Sequence, residues 1–335
     1  MNYYKSDTYI DNIRKIANSV VNIQKLEGKS VLITGASGMI GSVMVDGLMC
    51  YSTRNNMNLH VFSLGRDRQK LEDRFKESPF GQPEYIEHDV KSDLSDLNEI
   101  FDYVIHAAGN SYPSAFYERP IDTIAGNVLG TLNMLEYVSD SKNTRMLYVS
   151  SGEVYSNIDG ASVRSCYPNS KKTAESLCAA YIEEKRCDIV IGRVCHTFGP
   201  TAVESDNRAT AQFFGNACKK KNILMKSDGS QVRSYNYVMD TVSALLTIMV
   251  NGDRGIAYDI CSDKNVISIA DLAKTIAKES GVKVNFDLKE ANDQNSPIKE
   301  QILDPKELYG IGWKPDYSIE EGVSNTVKIL EELEK

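Results

Sequence analysis

The chain has 335 residues, enough for one large or two moderate domains with a real core. Its 41% hydrophobic and 25% charged residues are ordinary for a water-soluble globular fold, and a formal charge of −8 argues against nucleic acid or an anionic membrane as the main partner. No apolar run is long enough to cross a bilayer and no signal peptide is visible at the start, so the expected location is cytoplasmic.

Residues 1–27 read as a helical prefix. Ile10, Ile13, Ile16, Ala17, Val20, Val21 and Ile23 recur at helical steps, with Asp7 or Thr8 as N-cap. The run Val31-Leu32-Ile33 then reads as a strand buried on both faces. A turn with Gly35, Ser37, Gly38, Met39, Ile40 and Gly41 follows, and Val43, Met44 and Leu48 continue it at helical spacing. Strand, glycine turn, helix is the context of a dinucleotide site. Gly35 permits the tight turn, Gly38 lets the backbone approach a pyrophosphate, and Gly41 lets helix pack on strand. The helix N-terminus offers free N–H groups to the phosphates. The spacing is GxxGxxG rather than GxGxxG, so a glycine-rich turn of another α/β protein fits it as well.

A second strand, Leu59 to Leu64, ends without the acid that commonly binds the adenosine ribose. Arg66 stands there instead, read equally as a partner for a 2′-phosphate or as a solvated loop residue, so this position leaves NAD against NADP open. A strand through Tyr85–Val90 ends in an acid, and Asp89 with Val90 is placed to meet the adenine. Phe101 to His106 is a further buried strand, and the small residues Ala107, Ala108 and Gly109 after it allow close approach of a cofactor. A helix carrying Asn127 follows, then a strand from Met146 that runs into Ser151-Gly152-Glu153. Strands alternating with helices at this interval predict a doubly wound parallel α/β sheet, with the ligand beyond the carboxyl ends of its strands.

Tyr167 and Lys171 are four apart, on one face of a helix that continues to Tyr181. A tyrosine titrates near ~10 and is a poor base at neutral pH. A neighbouring ammonium and a cationic nicotinamide favour the phenolate. Tyr167 can then take a proton from a sugar hydroxyl as hydride leaves the same carbon, with Ser151 hydrogen-bonded to that hydroxyl. A lone YxxxK is a weak signal. Glycine turn, strand-end serine and YxxxK in that order is a strong one.

At these residues the sequence resembles the extended short-chain dehydrogenase/reductase family of NAD-dependent nucleotide-sugar epimerases, dehydratases and decarboxylases. TGASGMIGS, IHAAG, NVLGTLNMLEYV, SSGEVY and YPNSKKTAE carry the resemblance, which runs from about Ser30 to the C-terminus. It implies a Rossmann domain over 28–192, a smaller and interwoven substrate domain over 193–335, and Ser151, Tyr167 and Lys171 as the catalytic trio, Lys171 also holding the nicotinamide ribose. The segment Arg193 to Pro200, then Asp206-Asn-Arg208, Gly229-Ser-Gln231-Val-Arg233 and Tyr237-Val-Met-Asp240, looks most like the UDP-glucuronate decarboxylases. Arg164 and Glu153 match that group too. The resemblance places Arg233 on the diphosphate, Glu153 beside C5/C6 of the sugar, and Arg208 in the nucleotide pocket, with Asn127, Arg164, His196 and Gln231 as further substrate candidates. It also implies a homodimer and a UDP-sugar substrate.

There are departures. Gly152 stands where decarboxylases tend to carry serine and dehydratases aspartate, which puts 4,6-dehydration in doubt. His196 replaces a usual asparagine and is read either as a ligand contact or as a buried core histidine; Cys195 reads as core. The loop from Ser156 to Tyr167 is short, which leaves room for a 4-epimerase reading. A non-catalytic NAD(P)-binding regulator is the alternative from another class, but it has no need of the Tyr/Lys pair.

The C-terminal part reads as supporting structure. A helix over Val238–Val250 has Asp240 as candidate cap, and Ala257 to Cys261 is a strand. A helix from Ser268 ends at Gly281, and a last helix starts in a capping box, Ser318 with Glu321. The seven cysteines form no CxxC pair and are expected as reduced thiols; the four histidines have no metal-ligand spacing, and no metal is expected.

Overall fold

The computed structural model describes residues 1–335 apart from 98, 142, 157, 159–161, 289–297 and 335. In chain order the first half comprises α1 (Asp7–Ser19), β1 (Ser30–Thr34), α2 (Met39–Asn55), β2 (His60–Gly65), α3 (Arg68–Phe75), β3 (Glu84–Glu87), β4 (Tyr103–His106), α4 (Pro113–Glu118), α5 (Pro120–Ser139), β5 (Arg145–Ser151) and α6 (Cys166–Glu184). The second half comprises β6 (Asp188–Val194), β7 (His196–Phe198), α7 (Ala209–Cys218), β8 (Ile223–Met225), β9 (Val232–Tyr237), α8 (Val238–Asn251), β10 (Ala257–Ile260), β11 (Val266–Ser268), α9 (Ile269–Ser280), β12 (Val284–Phe286), β13 (Glu300–Gln301), α10 (Lys306–Gly310) and α11 (Ile319–Leu333).

One seven-stranded sheet has the order β10-β6-β5-β4-β1-β2-β3, with every pairing parallel. The order reverses at β1, so the crevice between the carboxyl ends of β1 and β4 is where a doubly wound sheet binds its ligand. Successive residues of β1 point to opposite faces. Val31 and Ile33 enter the core under α1, α2 and α8. Leu32 joins the core under α5 and α6, with Met134, Leu135, Ala174 and Cys178. Both faces are covered, which is why these strands are continuous apolar runs.

The second half of the chain does not stay apart. After building β7–β9 it returns through α8, almost wholly buried, to add β10 to the large sheet beside β6. A smaller sheet has β11, β9 and β13 side by side with β7 also on β9, and β8 pairs with β12. The prefix helix α1 packs on α2 and α8 and is also tied to the last helix, where Glu332 accepts hydrogen bonds from the Ser6 hydroxyl at 2.5 Å and the Thr8 hydroxyl at 2.9 Å.

Several local expectations shift by a residue or a role. Ser6, not Asp7 or Thr8, caps α1, because its hydroxyl is the group placed to accept from the Tyr9 N–H. The strand expected through Val90 ends at Glu87, and Asp89 belongs to the loop beyond it. Asp240 does not cap α8; Tyr237 occupies that position. The buried Asp240 carboxyl instead accepts from the N–H groups of Asp316 at 2.8 Å and Tyr317 at 3.1 Å and so anchors the entry to α11. Ser268, Gly281 and the Ser318/Glu321 capping box stand as read. All seven cysteines are free and buried. Among the described residues, no helix is long and apolar enough to cross a membrane, and no group of three acidic, histidine or cysteine side chains is placed to hold a metal.

Candidate active site

A cleft opens at the β1/β4 crevice and runs from the α2 N-terminus to the second half of the chain. At its cofactor end the wall is backbone. Gly35 has φ +68°, and a Cβ there would fall 2.9 Å from the Ala107 carbonyl and the Ala108 backbone. At Gly41 a Cβ would lie 2.3 Å from the Gly35 carbonyl oxygen. Only glycine permits either approach. Gly38 is the N-cap of α2 and offers no side-chain cap, so the first helical N–H groups face the cleft between Ser37, Met39 and Ile40. The cradle fits a pyrophosphate: free amides, a helix N-terminus and no intervening side chain. Thr34 completes it, a residue that apolar periodicity could not single out. Its hydroxyl oxygen accepts from the Ala107 and Ala108 N–H groups at 3.2 and 3.1 Å and so fixes the turn after β4.

Arg66, Asp89 and Val90 lie on the wall of the same cleft, beyond the ends of β2 and β3. Asp67 is committed elsewhere: it caps α3 by accepting from the Lys70 N–H at 2.9 Å. Asp89 accepts from the Lys91 N–H at 3.0 Å.

At the other end Ser151, Glu153, Tyr167 and Lys171 line the same cleft. Tyr167 is 6% exposed and stacks on Phe116 with ring centres 4.6 Å apart. Burial pushes its phenol up to about 12, while a hydrogen bond from Ser151 works the other way. The four-residue spacing predicts that Lys171 lowers that phenol. In the structure its ammonium instead donates to the Val149 carbonyl at 2.9 Å and lies 4.9 Å over the Tyr148 ring. Burial brings Lys171 down to about 8, against the pull of Glu175.

Glu175 carries no role read from the sequence. It lies four residues after Lys171, so the helix face bearing Tyr167 and Lys171 continues into it. It accepts from the Ser150 hydroxyl at 2.6 Å and from Arg193 at 2.7 Å, tying α6 to the ends of β5 and β6. Asn127 does not line the cleft. Its amide donates to the Ser170 hydroxyl at 3.0 Å, between Tyr167 and Lys171 on α6.

The arginines are already engaged. Arg164 donates to Glu153 at 2.8 Å. Arg208 forks onto Asp206, at 2.9 Å to one oxygen and 2.5 Å to the other. Arg233 is 2% exposed and donates to backbone carbonyls, at 2.8 Å to Val232 and 3.1 Å to Lys299, and to Ile298. Neither Arg233, Arg164 nor Gln231 lines the cleft, whereas Arg208 and His196 do. His196 is pressed down to about 3 by burial and by Arg233, Arg208 and Arg164, so its ring is neutral at any working pH. Cys195 is buried as expected and also forms part of the wall. Of the short loop before Tyr167, residues 157 and 159–161 lie outside the described residues.

A glycine-lined phosphate cradle that opens onto a buried tyrosine beside a strand-end serine places the protein among enzymes that exchange hydride between a nicotinamide and a hydroxyl-bearing carbon. Residues 31–261 match the NAD dependent epimerase/dehydratase family, and the chain belongs to that family. Among its relatives is UDP-glucuronic acid decarboxylase 2 of Arabidopsis thaliana, 30% identical over 96% of this chain and 72% of the relative. Solved structures of similar fold include an epimerase of Methanothermobacter thermautotrophicus, with TM-score 0.78, 22% identity and 94% of each chain covered. Another is the UDP-glucuronic acid 4-epimerase of Bacillus cereus in complex with UDP-glucuronic acid and NAD, with TM-score 0.75, 21% identity, and 91% of this chain and 99% of that one covered.

Proposed function

We propose that the protein decarboxylates a UDP-uronate, UDP-glucuronate first among candidates, with NAD as its cofactor. The observation that carries this is Glu153, two residues beyond Ser151 on the cleft wall it shares with Tyr167, and held at 2.8 Å by the largely buried Arg164 behind that wall. A carboxylate and its counter-ion beside the catalytic serine are more than a C4 hydroxyl needs. They suit a reaction that also involves C5 and C6.

Gly35, Gly38 and the α2 N-terminus would hold the pyrophosphate, with Lys171 at the nicotinamide ribose. The chemistry supplied by bound NAD is reversible hydride exchange with C4 of the sugar. Tyr167 takes the proton of the C4 hydroxyl, and Ser151 orients that hydroxyl. A C4 ketone beside a C6 carboxylate makes a β-keto acid. Its C5–C6 bond breaks with the electron pair passing to the ketone oxygen, and CO₂ leaves. Glu153 orders the protonation of C5 that follows, and Tyr167 returns its proton when C4 is reduced again. The buried cysteines, all free thiols, agree with a reducing cytoplasm. The exposed Ile121 and Ile124 of α5 support pairing of two copies through that helix.

Incubation with UDP-glucuronate and NAD should release CO₂ and yield a UDP-pentose. Accumulation of UDP-galacturonate without CO₂ would replace this reading with a 4-epimerase. Light scattering after size exclusion should give twice the 37.3 kDa chain mass, and the monomer mass would reject the pairing.

A further inference from the structure

In the second half of the chain, the described side chain that meets the cleft with an unanswered polar group is Gln301. It lies on the cleft wall with Glu153, Tyr167 and His196. It is 7% exposed, and its Nε2 is buried with no hydrogen-bond partner among the described residues. A buried amide left unpaired is costly, so a donor in that state on a cleft wall is open to a ligand.

Its position along the cleft follows from its neighbours. Two residues on, Leu303 occupies the space beside Gly152: a Cβ on Gly152 would fall 2.8 Å from a Leu303 methyl. The segment carrying Gln301 therefore packs directly against Ser151-Gly152-Glu153, at the sugar end and far from the cofactor cradle. Leu303 is pinned there, its N–H donating to the Ser234 hydroxyl at 3.1 Å. Arg233 stands opposite Gln301 in parallel register, and its guanidinium is spent on the Ile298 and Lys299 carbonyls that lead into β13.

We propose that Gln301 is a specificity-determining residue whose amide donates to the C6 carboxylate of the sugar, and that Arg233 is a positioning residue that acts through it by holding β13. This rests on the reading of the cleft as a UDP-glucuronate site. A neutral donor suits that reaction. A cation gripping the carboxylate would stabilise the ground-state charge that must leave with the C5–C6 electron pair, and only binding that is stronger in the transition state speeds the step. An amide orients the carboxylate without that penalty.

The test is calorimetric binding of UDP-glucuronate, UDP-glucose and UDP to the NAD-loaded protein. Gln301→Leu should weaken UDP-glucuronate roughly tenfold or more, the loss expected for a hydrogen bond to a charged group. Binding of UDP-glucose and UDP should not change. Gln301→Glu, nearly isosteric, should weaken UDP-glucuronate further by like-charge repulsion, and it serves if the leucine variant folds poorly. Gln301→Lys should bind UDP-glucuronate more tightly yet turn it over more slowly, lowering KM and kcat together. If Arg233 acts through Gln301, Arg233→Lys combined with Gln301→Leu binds no worse than Gln301→Leu alone. Unchanged UDP-glucuronate binding in both Gln301→Leu and Gln301→Glu, or equal losses for all three ligands, overturns the proposal while leaving the decarboxylase reading intact. Additive losses in the double variant overturn the role given to Arg233. Failure of the unaltered protein to bind UDP-glucuronate overturns the parent reading, and this one with it.

Discussion

On the cofactor side of the cleft the wall is main chain, held at distances that admit no side chain at Gly35 or Gly41. On the substrate side it is side chains, and the charged ones on or behind the wall are already bonded to protein: Arg208 to Asp206 on the wall, and behind it Arg164 to Glu153 and Arg233 to three carbonyls. The first half of the site is complete before its ligand arrives. The second presents paired charges, and a ligand that drew on one of them would have to replace a protein partner, which is where discrimination between sugars can arise. Backbone amides at a helix N-terminus serve any pyrophosphate, whereas a site made of paired charges can be retuned one residue at a time.

The largest effect is expected where the two halves meet. Tyr167→Phe removes the proton acceptor and should cut turnover by roughly 10²–10⁴-fold, with NAD affinity, read by protein fluorescence, unchanged. Substantial turnover in that variant would detach the chemistry from α6 altogether. Next comes the rigid half. Gly41→Ala puts a methyl 2.3 Å from the Gly35 carbonyl oxygen, where no rotamer can relieve it. A stability loss of about 1–3 kcal/mol in urea unfolding is expected, with weaker NAD binding. Gly41→Ala with both unchanged would show that the cradle yields more readily than its packing implies.

The pH dependence sharpens the comparison further. Burial brings the Lys171 ammonium to about 8, so its proton is lost as pH rises through that value. If that cation holds the nicotinamide ribose, NAD affinity should hold below that point and fall above it. A profile still level at about pH 9.5 would mean that Lys171 is not needed as a cation. The smallest effect belongs to the scaffold of the substrate half. Ser268 accepts from the Asp271 N–H at 3.0 Å as the cap of α9, and Ser268→Ala should cost about 1 kcal/mol while leaving NAD affinity untouched.

The amino-acid sequence by itself determined the doubly wound sheet and the glycine cradle, and it singled out Ser151, Tyr167 and Lys171, which the fold brings to one cleft. These depend on local features that survive in one dimension: apolar runs, glycine spacing, and a four-residue step that places two side chains on one helix face. It also named Glu153 and Arg164, though not that they pair. What only the tertiary structure decided is which polar groups are free to meet a ligand. Arg233 and Gln231 stand in a motif whose order suggests ligand contact, yet Arg233 is turned onto the carbonyls entering β13, while Gln301, in no motif, reaches the cleft. Lys171 is aimed at Val149, and Glu175 ties together the consecutive elements β5, α6 and β6 through Ser150 and Arg193. A hydrogen bond is spent on whichever partner the fold brings within about 3 Å, and residue order carries no record of that distance.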